Sequence, residues 1–140
     1  MANPLYGSNA YDNAANIVAT HIGLGACDAT FSIGAESAGT EIIVSIQLLD
    51  AFGNNVQRKQ YVKVLLLNDA NGDALASEDY AISYGSDGYA VEGAANVADC
   101  LCEADGDIDL KLTITGAATC YVAVVCEGGK LAISDLVTHE

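Results

Sequence analysis

The chain has 140 residues, half of them hydrophobic, with 19 acidic residues against five basic ones and a net charge of −14. That length supplies one domain with its own core, and the apolar fraction excludes general disorder. The negative charge repels phosphate backbones and anionic lipid, so neither nucleic acid nor a membrane surface is expected as a partner.

Residues 1–27 differ from the rest. Asn, Ala, Gly and Ser dominate, Pro4 and Gly7 oppose helix, and no strand alternation appears. No basic region followed by an apolar run is present, so a secretory signal is not expected and folding in a cytosol is the default. The segment cannot bury enough surface to fold alone. It reads either as a disordered tail or as an extended arm that orders on a partner or on a sister copy, with the apolar side chains of Leu5, Tyr6, Tyr11 and Ile17 as candidate anchors.

From residue 28 the pattern is β. "TFSIG" is a first candidate strand, and "TEIIVSIQLL" sets Ile42, Val44, Ile46 and Leu48 on one face. It runs into "DAFGN", and "YVKVLLL" runs into the similar "DANGD". In each, Asp is placed to cap a turn and Gly to take the left-handed conformation. An EF-hand starting at Asp69 would need Gly at position 74 and Glu at 80, where the chain has Ala74 and Tyr80. "EADGDIDL" fails likewise, with Ile108 at the glycine position. No metal or other cofactor is therefore expected.

Between the two phrases, "VQRKQYVK" gathers Arg58, Lys59 and Lys63, three of the five basic residues. They read either as a docking spot for an acidic partner or as a strand edge guarded by charge. "DYAISYG" and "NVADCLCEA" add strands. "YAISYGSDGYAVEG" reads as a tyrosine-rich loop, with Tyr80, Tyr84 and Tyr89 as candidate surface anchors beside Tyr6 and Tyr11. "DIDLKLTIT" alternates strictly, with Ile108, Leu110, Leu112 and Ile114 facing inward. "TCYVAVV" is apolar on both faces, as a central strand would be, and Gly128-Gly129 turns it into a last strand.

Seven or eight short strands separated by turn chemistry predict an all-β fold, an antiparallel immunoglobulin-like β-sandwich over residues 28–140 with an N-terminal arm over 1–27. The five cysteines lack zinc-site spacing. Cys100 and Cys102 share a strand face, as do Cys120 and Cys126. Buried thiols are the expectation, with a disulfide or metal site between neighbouring strands as the competing reading. No catalytic arrangement is expected. His21 and His139 lie in segments without a core pattern, and Ser134, Asp135 and His139 sit on a terminal strand rather than a strained elbow.

Three motifs in order, "VSIQLLDAFGNNV", "VKVLLLNDANGDALA" and "EADGDIDLKLTITGAATCYVAVVCEGGKLAISDLV", resemble an immunoglobulin-like domain recurrent in bacteriophage virions. The resemblance covers about residues 30–138; the many cysteines and the Cys120-Tyr121 pair depart from it. It implies a virion structural protein, made in the host cytoplasm and bound to the capsid surface. The type expected is a decoration or cement protein that contacts the major capsid protein and its own sister copies. The alternative is an adhesive module on a tail or surface structure that binds carbohydrate or a host surface.

Overall fold

The computed structural model describes residues 25–140. Among the described residues nine strands follow one another: β1 Asp28–Ile33, β2 Glu41–Leu49, β3 Tyr61–Leu67, β4 Ala81–Tyr84, β5 Tyr89–Ala94, β6 Val97–Leu101, β7 Asp107–Thr113, β8 Ala118–Val125 and β9 Leu131–His139. They form two antiparallel sheets in the orders β1-β2-β7-β4 and β5-β6-β3-β8-β9. The pairings β2–β7 and β3–β8 join strands distant in sequence, as in the immunoglobulin arrangement. The wiring differs from that pattern at one place, where the β5–β6 hairpin is inserted between β4 and its neighbour β7.

Alternation places the core. Ile42, Val44, Ile46 and Leu48 from β2 and Ile108, Leu110 and Leu112 from β7 meet Val62, Val64 and Leu66 from β3 and Val122 and Val124 from β8. All are buried, whereas Ile114, expected among them, is only partly so. Each such side chain stabilises the fold by roughly 1.5–3 kcal/mol.

The twin phrases are turns of one construction. Asp50 Oδ1 accepts the backbone N–H of Phe52 at 2.9 Å and of Asn54 at 3.0 Å. Asp69 Oδ1 accepts those of Asn71, Gly72 and Asp73 at 2.7, 3.0 and 3.3 Å. Gly53 and Gly72 hold φ of 79° and 85°, where a side chain would be strained. The bonds to Asp69, that from Asn71 foremost, hold its carboxyl below the usual range.

One strand of the nine was illegible. β5 lies inside the segment read as a loop; its Gly93 and Ala94, and a register shift between Ala90 and Glu92, blur any alternation. Two more expectations are corrected. Tyr80 is not a surface anchor: it is buried against His139, with ring centroids 5.6 Å apart. His139 is 1 % exposed, because β9 stays paired with β8 to its last residue, where His139 lies opposite Ala118. A buried Asn96 ties this region together. Its backbone is left-handed (φ 62°), its Oδ1 accepts from Tyr80 N, and its Nδ2 donates to the carbonyls of Ala76 and Glu78.

Residues before β1 already pack on the sandwich. Ala26 is fully buried; its N–H donates to Gln60 Oε1 and its carbonyl accepts from Glu127 N. The anchors Leu5, Tyr6, Tyr11 and Ile17, and His21, lie outside the described residues.

Candidate docking surface

The outward faces of the two sheets have opposite chemistry. On the four-stranded sheet, Thr30, Ser32, Ser45, Gln47, Asp107, Asp109 and Lys111 point away from the core, with Ile43, 40 % exposed, as an apolar residue among them. A groove of about 230 Å³ runs there, edged by Asp87. Asp109 is held by Ser45 Oγ and Ser86 Oγ, each donating at 2.7 Å. Burial would raise its pKa, but these bonds outweigh burial and keep it low. Asp107 is pushed up, first by burial and then by the negative charges of Asp105, Asp87, Asp109 and Glu103. This face is mostly polar and rich in carboxylates.

The five-stranded sheet turns a mostly apolar face outward. β3 contributes Tyr61, Leu65 and Leu67, and β6 contributes Val97 and Leu101. β8 adds Tyr121, Ala123 and Val125, and β9 adds Leu131, Ile133 and Leu136. The 68–76 loop folds back onto part of it: a Cβ on Gly72 would lie 2.7 Å from Leu131 Cδ1. Ala123 and Leu67 are fully buried on this outer side. Large apolar side chains nevertheless remain in the open, with Tyr61 63 %, Leu136 46 % and Tyr89 42 % exposed. Tyr61 and Tyr89 flank Leu101 across three paired strands, and the ring of Tyr84 meets that of Tyr89 edge-on at 6.3 Å. An aromatic row thus borders an aliphatic field, a composition characteristic of protein interfaces.

The basic residues do not guard a strand edge. β3 is the middle strand of its sheet, so Lys63 lies in mid-face, where its Nζ is 2.8 Å from Asp99 Oδ1. Arg58 and Lys59 lie in the loop before β3, with the Arg58 guanidinium turned toward Gly25 and Glu127. The Lys63–Asp99 pair sets one positive charge against one negative charge within the face.

The cysteines serve packing. Cys100, Cys102, Cys120 and Cys126 are buried. β6 and β8 are not neighbours, because β3 lies between them, so the two cysteine pairs do not face each other as the competing reading required. Burial pushes Cys100 and Cys120 up to about 11, which leaves both as protonated thiols at neutral pH. Cys102 Sγ donates to the Arg58 carbonyl and accepts from Gln60 N, closing the sandwich end beside Ala26.

Ser134 donates to the Asp135 carbonyl and accepts from Val122 N at the β8–β9 bulge, so its hydroxyl is committed to structure. Among the described residues no group of three or more His, Cys, Asp or Glu is placed to hold a metal ion. Comparison with protein-family models, with curated proteins and with solved structures found no match.

Proposed function

We propose that this chain is a structural protein of a bacteriophage particle, a decoration protein that binds the major capsid protein through the outer face of its five-stranded sheet. One observation carries the docking role: a chain of net charge −14 keeps one broad face mostly apolar. Solvated faces of antiparallel sheets are polar, as the opposite sheet is. An apolar one of this extent is suited to being covered by protein. The acidic remainder keeps copies apart at high local concentration, which fits a protein bound many times on one shell. The placement on a virion rests on the sequence resemblance over residues 30–138.

A second reading, a carbohydrate-binding adhesive module, is favoured by the exposed row of Tyr61, Tyr89 and Tyr84. Exposed rings offer flat faces to sugars, though tyrosine is equally common at protein interfaces. Quantification of the chain by mass in purified particles separates the readings. A copy number near that of the major capsid subunit supports decoration. A handful per particle moves the chain to the tail, and absence from the particles refutes both.

A further inference from the structure

We infer that Cys27 and Cys126 are a built pair that closes to a disulfide when the folded protein meets an oxidant, stapling the two sheets together. The inference goes beyond the docking role and does not depend on it.

The first argument is placement. Cys27 immediately precedes β1 of the four-stranded sheet, and Cys126 immediately follows β8 of the five-stranded one. The neighbours of one cysteine hold the neighbours of the other. The Ala26 carbonyl accepts from Glu127 N at 2.9 Å, and Lys130 Nζ lies 3.1 Å from Asp28 Oδ2. Ala26 and Asp28 flank Cys27. Glu127 follows Cys126, and Lys130 is brought back beside it, because the Lys130 carbonyl accepts from Cys126 N at 2.7 Å. The Ala26–Glu127 bond alone keeps the two cysteine Cα atoms within about 8 Å, since each lies one peptide group from a bonded atom. Disulfides span roughly 4.4–6.8 Å between Cα atoms, so the pair needs at most a small backbone adjustment. The sulfurs also sense each other: negative charge on Cys27 pushes the Cys126 thiol up.

The second argument is the unequal exposure of the two sulfurs. Cys27 is partly exposed, whereas Cys126 is buried. A small-molecule disulfide such as oxidised glutathione therefore reaches Cys27 first. The Cys27 thiolate attacks one sulfur of the reagent, forming a mixed disulfide and expelling one glutathione thiolate. The Cys126 thiolate then attacks Cys27 Sγ, forming the Cys27–Cys126 bond and expelling the second. Two protein thiols lose two electrons and two protons, and the reagent takes up both as two glutathione thiols. Cys126 Sγ gives up only a long contact, 3.7 Å, to the Val124 carbonyl. Burial, and then the negative charges of Glu127 and Asp50, push the Cys27 thiol up, so the exchange is slow at neutral pH. The third argument is what the bond holds. It closes a ring of about 100 residues and joins two sheets that share no strand pairing among the described residues.

The test treats the full chain with oxidised glutathione under native conditions at mildly alkaline pH. It follows intact mass, a tryptic map without reductant, and melting temperature. Trypsin leaves Cys27 in residues 1–58, Cys100 and Cys102 in 64–111, and Cys120 and Cys126 in 112–130. The expected mass is lower by about 2 Da, with 1–58 joined to 112–130 and fragmentation placing the link on Cys126. The melting temperature should rise by at least about 5 °C and return on adding dithiothreitol. Cys126→Ser should stop at a glutathione adduct on Cys27 and lose the rise. Should that variant not fold, the wild-type mass and map decide alone. A lasting adduct on wild-type Cys27, a link to 64–111 or to Cys120, a disulfide-bonded dimer, or thiols unreacted after about a day each overturn the inference. A Cys27–Cys126 link that leaves the melting temperature unchanged overturns the stapling role.

Discussion

The two outward sheet faces come from the same strand geometry and meet water in opposite ways. β7 alternates apolar and polar residues and β2 does so over Val44–Leu48, so their outer side carries Ser45, Gln47, Asp107 and Asp109, with Ile43 the apolar exception. β3 ends in Val64-Leu65-Leu66-Leu67 and β8 in Val122-Ala123-Val124-Val125, so their outer side is apolar as well. Continuous apolar strands belong to sheets covered twice. Here the interior provides one cover, and the 68–76 loop provides a fraction of the second. The difference teaches that surplus hydrophobicity in a strand marks where a further layer is to be supplied.

The largest effects lie in the interior that both sheets share, and they set the scale for the rest. Leu112→Asp places a carboxylate without a partner in the core and should cost more than about 4 kcal/mol, enough to unfold the domain. A variant with wild-type thermal stability by circular dichroism would show that the β7 register is misassigned. Next comes Asn96→Ala, which strands Tyr80 N and two carbonyls and forces a left-handed alanine. The expected loss is about 3 kcal/mol in a urea titration, with Asn96→Gly recovering about 1 kcal/mol of it.

Much of this was legible beforehand. The strict alternation of "DIDLKLTIT" and the apolar face of residues 42–48 placed the four-stranded core correctly, because the other side of each strand faces outward. The Asp-Ala-x-Gly phrases announced their turns through residue chemistry alone. β5 escaped because Gly93 and a register irregularity remove the period that identifies a strand. Tyr80 and His139 escaped because a single polar aromatic residue carries no periodic signal; only the tertiary fold brings the residue before β4 against the end of β9. The apolar outer face was half visible. "TCYVAVV" was seen to be apolar on both sides, but centrality alone explained it until the sheet order showed how little lies above. That Tyr61, Leu101 and Tyr89 form one row depends on β3–β6–β5 pairing, which sequence does not state.

Smaller effects distinguish the faces directly. Asp107 is pushed up by burial and by neighbouring carboxylates, so its ionisation opposes folding. The unfolded chain loses this proton at lower pH than the folded one. Stability contributed by the protonated form is therefore present below the ordinary value of 3.8 and lost as pH rises through the higher folded value. Asp107→Asn should be more stable than wild type at pH 7 by a few tenths to about 1 kcal/mol, and the gap should close below about pH 3.8. A gap independent of pH would contradict this assignment. Ser45→Ala, which removes one bond to Asp109, should cost no more than about 1 kcal/mol.

The central claim is that the five-stranded face, and not the acidic one, meets the partner. The direct measurement is binding of purified protein to capsids assembled without it, comparing Tyr61→Ala and Ser45→Lys, both exposed and each on one face. The account predicts that Tyr61→Ala weakens binding at least about tenfold, a change of ~1.4 kcal/mol, while Ser45→Lys leaves it within about twofold. Loss of binding in Ser45→Lys with Tyr61→Ala unaffected would contradict it and place the interface on the acidic sheet.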